Sequence, residues 1–326
     1  MPRTLKARRP LNPLEDPSIA FEQAKRIVIA GGAGFLGRAL ARTIVEKGPE
    51  VCILSRRPAR DDGRIRTVVW DGRTVGDWKD ELEGAEAVVN LTGRSVACLY
   101  TPENKREIIA SRVDSVNAIA QACAQCEEPP KVIVQAASLA IYGDAGDRIC
   151  DEDAPHGTGF SVDVCEAWEG AFFAGADGPR RVALRIGFVL GRKGGALQQL
   201  AKLAHWYVGG AAGNGRQYIS WLHIDDFCAM VRWAIDHPEA QGVYNATGPN
   251  PVTNAEFMRL LRKTLQRPWS PPTPAWAVKL GARFIMGADP SLALTGRRCV
   301  PKKFLDEGFR LQHLDLAQTL WELLKR

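Results

Sequence analysis

The stretch Ile27–Leu40, "IVIAGGAGFLGRAL", decides how the rest of the chain is read. Its first residues are a short apolar run of strand character, and Phe35–Lys47 carries Leu36, Leu40 and Ile44 on one helical stripe. Gly48 follows as a stop signal. Between strand and helix, Gly31, Gly34 and Gly37 are spaced GxxGxxG. The first glycine permits the tight turn, the second lets backbone approach a pyrophosphate, and the third lets helix pack on strand. The helix N-terminus offers free N–H groups and positive potential to an anion. Gly31, Gly34, Phe35, Leu36 and Gly37 are therefore candidate contacts to a dinucleotide. The strand-before, helix-after setting favours this over a plain glycine turn.

Outward from that loop, short apolar runs alternate with helical patterns. The predicted strands are Arg26–Ala30, Val51–Leu54, Thr67–Trp70, Ala87–Leu91, Val132–Ala136, Val182–Ile186 and Val243–Ala246. Their hydrophobicity is continuous rather than alternating, as in parallel strands buried on both faces. A long helix begins at "TPENKREIIASRVDSVNAIA", with Thr101 as cap and Pro102 at the first helical position. This alternation predicts an α/β fold with a doubly wound parallel sheet. After residue 246 the proline-rich "RPWSPPTPAWAV" and a helical tail predict a smaller lobe. The expected division is an arm over 1–24, a nucleotide-binding domain over 25–246 and a small substrate-side domain over 247–326. Residues 187–222 contribute to the substrate side.

The ends of the predicted strands carry the rest of the nucleotide site. The second strand runs into "ILSRRP", with Ser55, Arg56 and Arg57 where an NAD-specific site places an acid. A carboxylate would repel a 2′-phosphate, whereas a hydroxyl and two guanidiniums would bind it, so the expected cofactor is NADP(H). Asp71 after the third strand could accept from the adenine amino group. Asn90, Leu91, Thr92 and Gly93 after the fourth are small enough to let the cofactor lie against the strand ends.

Composition narrows the partners. The chain has 326 residues and a formal net charge of +6, with scattered basic residues clustered only in the first nine. That is a solvated surface rather than a nucleic-acid footprint. No apolar run reaches the roughly 18 residues of a membrane span, and no secretory signal opens the chain. The eight cysteines suit a reducing, cytoplasmic setting. Cys123 and Cys126 sit late in a helical pattern rather than at its start, where a redox pair would lie. No Cys/His spacing suggests zinc, so no metal is expected.

Together these segments resemble the extended short-chain dehydrogenase/reductase superfamily. "AGGAGFLG" resembles its "TGGxGFxG" opening, "SLAIYGD" its "SxxxVYGD" segment and "SWLHIDDF" its "DYIHVxDL" segment. The motifs "NLTG", "NKREIIASR", "VCEAWE", "LRIGFVLGRKGGAL", "GNGRQYISWLHIDD", "NPVTNAEF" and "GRRCVPKKFLDEGF" are similar to one atypical, epimerase-like branch. The resemblance covers roughly residues 26 to 322. It implies a Rossmann-type domain, bound NADP(H), and a substrate cleft beside a short C-terminal domain. Homodimers are common in that superfamily, so a homodimer is allowed.

The same resemblance exposes a gap. Members that move hydride use a serine or threonine, a tyrosine as acid/base, and a lysine four residues later that lowers the tyrosine pKa. Ser138 matches the serine. Aligning Glu169 with the glutamate after the lysine places Ser161 at the tyrosine and Cys165 at the lysine, so the YxxxK pair is absent. Tyr142, Cys165, Asp163 or Glu166 could supply a proton instead, although Tyr142 more often shapes its loop and Cys165 more often packs. Arg216 lies near, but out of phase with, the arginine of nucleotide-sugar enzymes. His223 reads as a structural hydrogen-bonder before an acid, and Asp225 and Asp226 read as helix caps. "GRKGGAL", Gly191–Leu197, reads as a loop over the cleft. Two functions stay open: an NADP(H)-dependent oxidoreductase or epimerase-like enzyme on an unknown small molecule, and a catalytically silent NADP(H)-binding regulator or scaffold.

Overall fold

The computed structural model describes residues 25–174, 178–267, 269–284 and 287–325. The expected N-terminal arm lies outside the described residues. In chain order the strands are β1 (Arg26–Ala30), β2 (Glu50–Ser55), β3 (Ile65–Val69), β4 (Ala87–Asn90), β5 (Val132–Ser138), β6 (Ile149–Cys150), β7 (Arg180–Ile186), β8 (Phe188–Leu190), β9 (Tyr218–Ile219), β10 (Trp221–His223), β11 (Gly242–Ala246), β12 (Val252–Thr253) and β13 (Arg298–Cys299). The helices are α1 (Phe35–Val45), α2 (Pro102–Cys123), α3 (Phe160–Phe173), α4 (Ala196–His205), α5 (Ile224–Asp236), α6 (Asn254–Thr264), α7 (Ala275–Phe284), α8 (Ser291–Leu294), α9 (Lys302–Asp306) and α10 (Leu316–Lys325).

Seven strands form one sheet in the order β11-β7-β5-β4-β1-β2-β3, and every pairing in it is parallel. All seven predicted strands are in it. The order runs outward in both directions from the β1/β4 junction, so the chain reverses there and leaves a crevice at the strands' carboxyl ends. The two faces are visible within β1. Ile27 and Ile29 join a core with Leu40, Ile44, Phe227 and Val231 of α1 and α5. Val28 and Ala30 join a second core with Val116, Ile119, Trp168 and Phe172 of α2 and α3. Burial on both faces is why these runs do not alternate. The exception is β3, an edge strand half-buried throughout and exposed at Val69. Only one neighbour covers it, so it lacks the shielding expected from its sequence.

Beyond the large sheet, a third core ties β8, α4 and β10 to the C-terminal lobe. Leu190, Leu197 and Trp221 pack with Phe257 and Leu261 of α6 and with Leu316 and Leu320 of α10. A two-residue parallel pairing of β13 with β6 sets Cys299 opposite Cys150 and carries the C-terminal segment back to the large domain. Asp226 fastens the same lobe at a second point. Its carboxylate accepts the backbone N–H groups of Gln312 (2.8 Å) and His313 (3.0 Å). Asp226 is therefore a tether between lobes rather than a helix cap. The cap of α5 is His223, whose Nδ1 accepts the Asp225 N–H at 3.1 Å. Among the described residues no helix is long and apolar enough to cross a membrane.

Candidate functional site

The glycine turn sits at the β1/β4 junction. Gly31 has φ +71°, and a Cβ on it would stand 2.9 Å from the Thr92 backbone. Only glycine lets the β1 turn and the β4 turn approach this closely. A Cβ on Gly37 would lie 2.4 Å from Gly32 Cα, so Gly37 lets α1 rest on the turn itself. Beside Gly34 the space is open, with nothing nearer than 3.8 Å to an added Cβ. No side chain caps α1, and Phe35, Leu36 and Gly37 donate their backbone N–H groups to no acceptor among the described residues. That is a cradle for a phosphate. The Phe35 ring lies against Gly191, Gly194 and Gly195, which seats the "GRKGG" loop on the nucleotide loop.

At the end of β2, Ser55 is buried and its Oγ accepts the Arg57 N–H at 3.3 Å. Arg56 and Arg57 are exposed, and neither guanidinium has an ion pair among the described residues. Asp71 folds its carboxylate back on its own turn. Oδ1 accepts from the N–H groups of Arg73 and Thr74, and Oδ2 takes the Thr74 hydroxyl at 2.6 Å. The Thr74 hydroxyl and backbone hold it below the usual carboxylate range. Asn90 is fully buried. Its amide donates to Gln135 (2.9 Å) and Ser115, and its Oδ1 accepts the Thr92 N–H. Leu91 is half-buried. The Thr92 hydroxyl is buried with no partner, aimed from the β4 turn that meets Gly31. An orphan donor, a free helix terminus and an open space beside Gly34 together fit a dinucleotide cofactor. A Cβ on Gly93 would stand 3.1 Å from the Arg112 guanidinium.

At the end of β5, Ser138 Oγ accepts the Ala140 N–H, and its own proton has no acceptor among the described residues. Tyr142, four residues on, is fully buried. Its hydroxyl donates to Asn245 Oδ1 (2.8 Å) and accepts from Arg185 (2.8 Å). Burial pushes the phenol up despite the Arg185 charge, and its proton is committed to Asn245. Arg185 is held in turn by both oxygens of Glu169, at 2.9 and 2.8 Å. Burial opposes the Arg185 charge, but Glu169 outweighs it and raises the guanidinium above its ordinary value. Tyr142 thus belongs to a closed polar network in the protein interior.

Cys165 is buried, with its thiol against the Ser138 carbonyl at 3.8 Å, and burial pushes it up to about 12. Glu166 pairs with His156 at 2.9 Å. The rings of His223 and His313 stack at 3.7 Å. Their nitrogens lie within 4.8 Å of the Asp225 carboxylate, but face-to-face stacking does not aim both rings at one ion.

Two residues that sequence reasoning did not single out face the positions left vacant on α3. Helices α2 and α3 run side by side, and Tyr100, just before the Thr101 cap, meets Phe160 edge-on at 4.8 Å. Burial raises the Tyr100 phenol above its ordinary value, and the Ser161 hydroxyl offsets part of that rise. One helical stretch further, the Arg112 guanidinium lies over the Trp168 ring at 4.9 Å. Its charge reaches both Cys165 and Tyr100. The Tyr100 ring therefore meets α3 at Phe160, next to Ser161, and the Arg112 guanidinium meets it at Trp168, one turn beyond Cys165. Tyr100 and Arg112 flank and occupy the stretch "TPENKREIIASR", which the sequence marks only as the start of a helix.

Comparison with known proteins agrees with this geometry. The family model described as NAD dependent epimerase/dehydratase family matches residues 27–247, and a domain of unknown function, DUF1731, matches residues 273–323. The Arabidopsis thaliana "Epimerase family protein SDR39U1 homolog, chloroplastic" is 30% identical over 309 residues, 93% of this chain and 88% of that one. The Bacillus subtilis "Epimerase family protein YfhF" is 31% identical, covering 91% and 97%. The crystal structure of human epimerase family protein SDR39U1 with NADPH aligns at a TM-score of 0.82 and 28% identity, covering 92% of this chain and 99% of that one. With a glycine cradle at the strand crossover, and a family match that spans β1 to β11, the chain belongs to the NAD dependent epimerase/dehydratase family.

Proposed function

We propose that this chain binds NADP(H) at the carboxyl ends of β1, β2 and β4 and acts as an oxidoreductase or epimerase-like enzyme on a small molecule. The carrying observation is the pair of guanidiniums, Arg56 and Arg57, without an ion pair among the described residues, at a strand end that carries Ser55 and no acid. A 2′-phosphate would accept from both. The α1 N-terminus, the space beside Gly34 and the Thr92 hydroxyl receive the remainder of the cofactor. When bound, NADPH supplies hydride to a carbonyl carbon. The Ser138 hydroxyl hydrogen-bonds to the substrate oxygen and polarises it, keeping its own proton. Tyr100 supplies the proton that oxygen takes up, and Arg112 stabilises the phenolate left behind. Cys165, buried and high in pKa, packs against Ser138 and moves no proton.

Titrating NADPH and NADH into the Arg56→Ala/Arg57→Ala double variant tests the cofactor assignment. NADPH affinity should fall by roughly a hundredfold and NADH affinity by far less, as expected for two charge-assisted contacts. Equal loss for both would overturn it. The second reading, a silent NADP(H) binder, is favoured by the Ser161 and Cys165 substitutions in α3. A screen of NADPH oxidation against carbonyl compounds separates the two. Turnover lost in Tyr100→Phe supports the enzyme, and NADPH binding without turnover supports the silent protein.

A further inference from the structure

The fold does not treat its tryptophans alike. Trp70, Trp78, Trp168 and Trp221 are buried, whereas Trp206, Trp269 and Trp276 are 75%, 69% and 70% exposed. The exposed three lie on segments whose backbones are bound together. The loop after α4 carries Trp206 and Tyr207, and it runs beside the loop from α6 to α7, which carries Trp269. Ser270 donates its hydroxyl to the Tyr207 carbonyl (2.7 Å), Arg262 donates to the Gly209 carbonyl (2.8 Å), and the Thr273 N–H donates to the Ala211 carbonyl (2.8 Å). The Arg267 guanidinium covers the Tyr207 ring at 5.3 Å. A Cβ on Gly210 would strike the Pro271 carbonyl, so only glycine lets the two loops pack this closely. Trp276 follows Thr273 by three residues, in the first turn of α7, where the Ala277 and Val278 N–H groups donate to the Pro274 carbonyl.

Within α7, Trp276, Leu280 and Phe284 recur at every fourth residue and are all exposed, while Val278 and Ala282 on the opposite face are half-buried and buried. Exposed apolar area held on a fixed backbone marks a surface for a partner or a membrane. The charge around it decides which. No Asp or Glu occurs in residues 191–224 or 257–288. The acids that bound the second stretch are spent, Glu256 on Arg259 (2.7 Å) and Asp289 on the Ser291 hydroxyl (2.6 Å). Lys202, Lys263, Lys279 and Arg283 are exposed and have no ion pair among the described residues. Lys279 and Arg283 follow Trp276 and Leu280 by three residues and so flank the stripe. A two-fold contact between copies of this chain would set these cations against one another with no acid to meet them. An anionic lipid surface matches both features at once. Tryptophan and tyrosine rings favour the headgroup level, and lysine and arginine favour lipid phosphates. Leucine and phenylalanine on an open helix face suit the acyl boundary better than the stacked bases of a nucleic acid.

We propose that α7 and the two loops beside it dock this chain on the surface of an anionic phospholipid bilayer. The helix lies in the plane of the interface, with Trp276, Leu280 and Phe284 toward the acyl chains and Lys279 and Arg283 against lipid phosphates. Trp206 and Trp269 sit at the headgroups beside it. Docking of this kind needs neither cofactor nor turnover, and it leaves the bilayer unspanned.

The test is co-sedimentation of the full chain with vesicles of phosphatidylcholine and phosphatidylglycerol in about a two-to-one ratio, beside vesicles of phosphatidylcholine alone. The anionic vesicles should carry the protein down and shift its tryptophan emission to the blue, and the neutral vesicles should carry far less. Added salt should release much of the bound protein. The double variants Trp276→Ser/Phe284→Ser and Lys279→Gln/Arg283→Gln should each weaken the partition roughly tenfold or more, the first by losing inserted apolar area and the second by losing two lipid-facing charges. All four side chains are exposed, so the thermal midpoint of each variant should match that of the parent chain. No sedimentation with the anionic vesicles, equal sedimentation with the neutral ones, or unchanged partition of both double variants would overturn the proposal. So would a dimer in analytical ultracentrifugation that Trp276→Ser/Phe284→Ser dissolves, which would make a second copy the occupant of this face. Tighter capture by a single-stranded oligonucleotide than by the anionic vesicles would overturn it too.

Discussion

Tyr142 and Thr92 show opposite states of a buried hydroxyl. Tyr142 satisfies Asn245 and Arg185 at once. Tyr142→Phe leaves both partners short and should cost about 1–3 kcal/mol in urea unfolding. An unchanged midpoint would mean water replaces the phenol. Thr92 is the reverse case, since its hydroxyl is buried and unused. Thr92→Val replaces an orphan donor with a methyl and should stabilise the free protein by about 1 kcal/mol. The same change should shrink the rise in thermal midpoint that NADPH produces. A less stable free protein would show that the hydroxyl already has a partner. At this scale the sequence is readable wherever the neighbours are local. Gly31 and Gly37 announce their turn because strand, turn and helix are consecutive. Tyr100 and Arg112 announce nothing, because their places beside Phe160 and Trp168 depend on α2 lying against α3.

Among the elements, α5 carries its own pH dependence. Its cap, His223, must stay neutral at Nδ1 to accept the Asp225 N–H. Burial and the stacked His313 lower its pKa below the ordinary value. The unfolded chain therefore takes up the proton first, and this part of the stability is complete above about pH 6.5 and lost as pH falls below it. The thermal midpoint should drop between pH 7 and 5. His223→Asn keeps a capping acceptor and should flatten that portion of the curve. Parallel profiles would show that His223 titrates alike in both states. Strand positions in the large sheet were legible from apolar runs, whereas two-residue pairings such as β6–β13 and β9–β12 were not. So short a ladder leaves no periodicity; tertiary contact alone creates it.

For the whole molecule, the C-terminal lobe is held by apolar packing, with Phe304 in the main core, and by specific polar ties. Asp226 accepts two N–H groups from the C-terminal segment while itself buried. Asp226→Ala leaves both without an acceptor and should cost about 3 kcal/mol, with faster amide exchange over residues 309–325. Asp226→Asn retains an acceptor oxygen and should cost less. Exchange that stays unchanged in the alanine variant would place the hold in the apolar core around Leu316 and Leu320 instead. That a smaller lobe follows the sheet was readable from the proline-rich break. How it is fastened was not, since an aspartate beside a helix start looks like a cap until its partners are seen.

The bedding of Phe35 on Gly191, Gly194 and Gly195 bears on protein engineering. The nucleotide loop of this chain is not a portable cassette. Transplanting a loop with a smaller side chain at position 35 would open a hollow under "GRKGG", and adding any side chain at Gly191 would strike the aromatic ring. Cofactor redesign here must treat two stretches more than 150 residues apart as a single part, exchanged together or left alone.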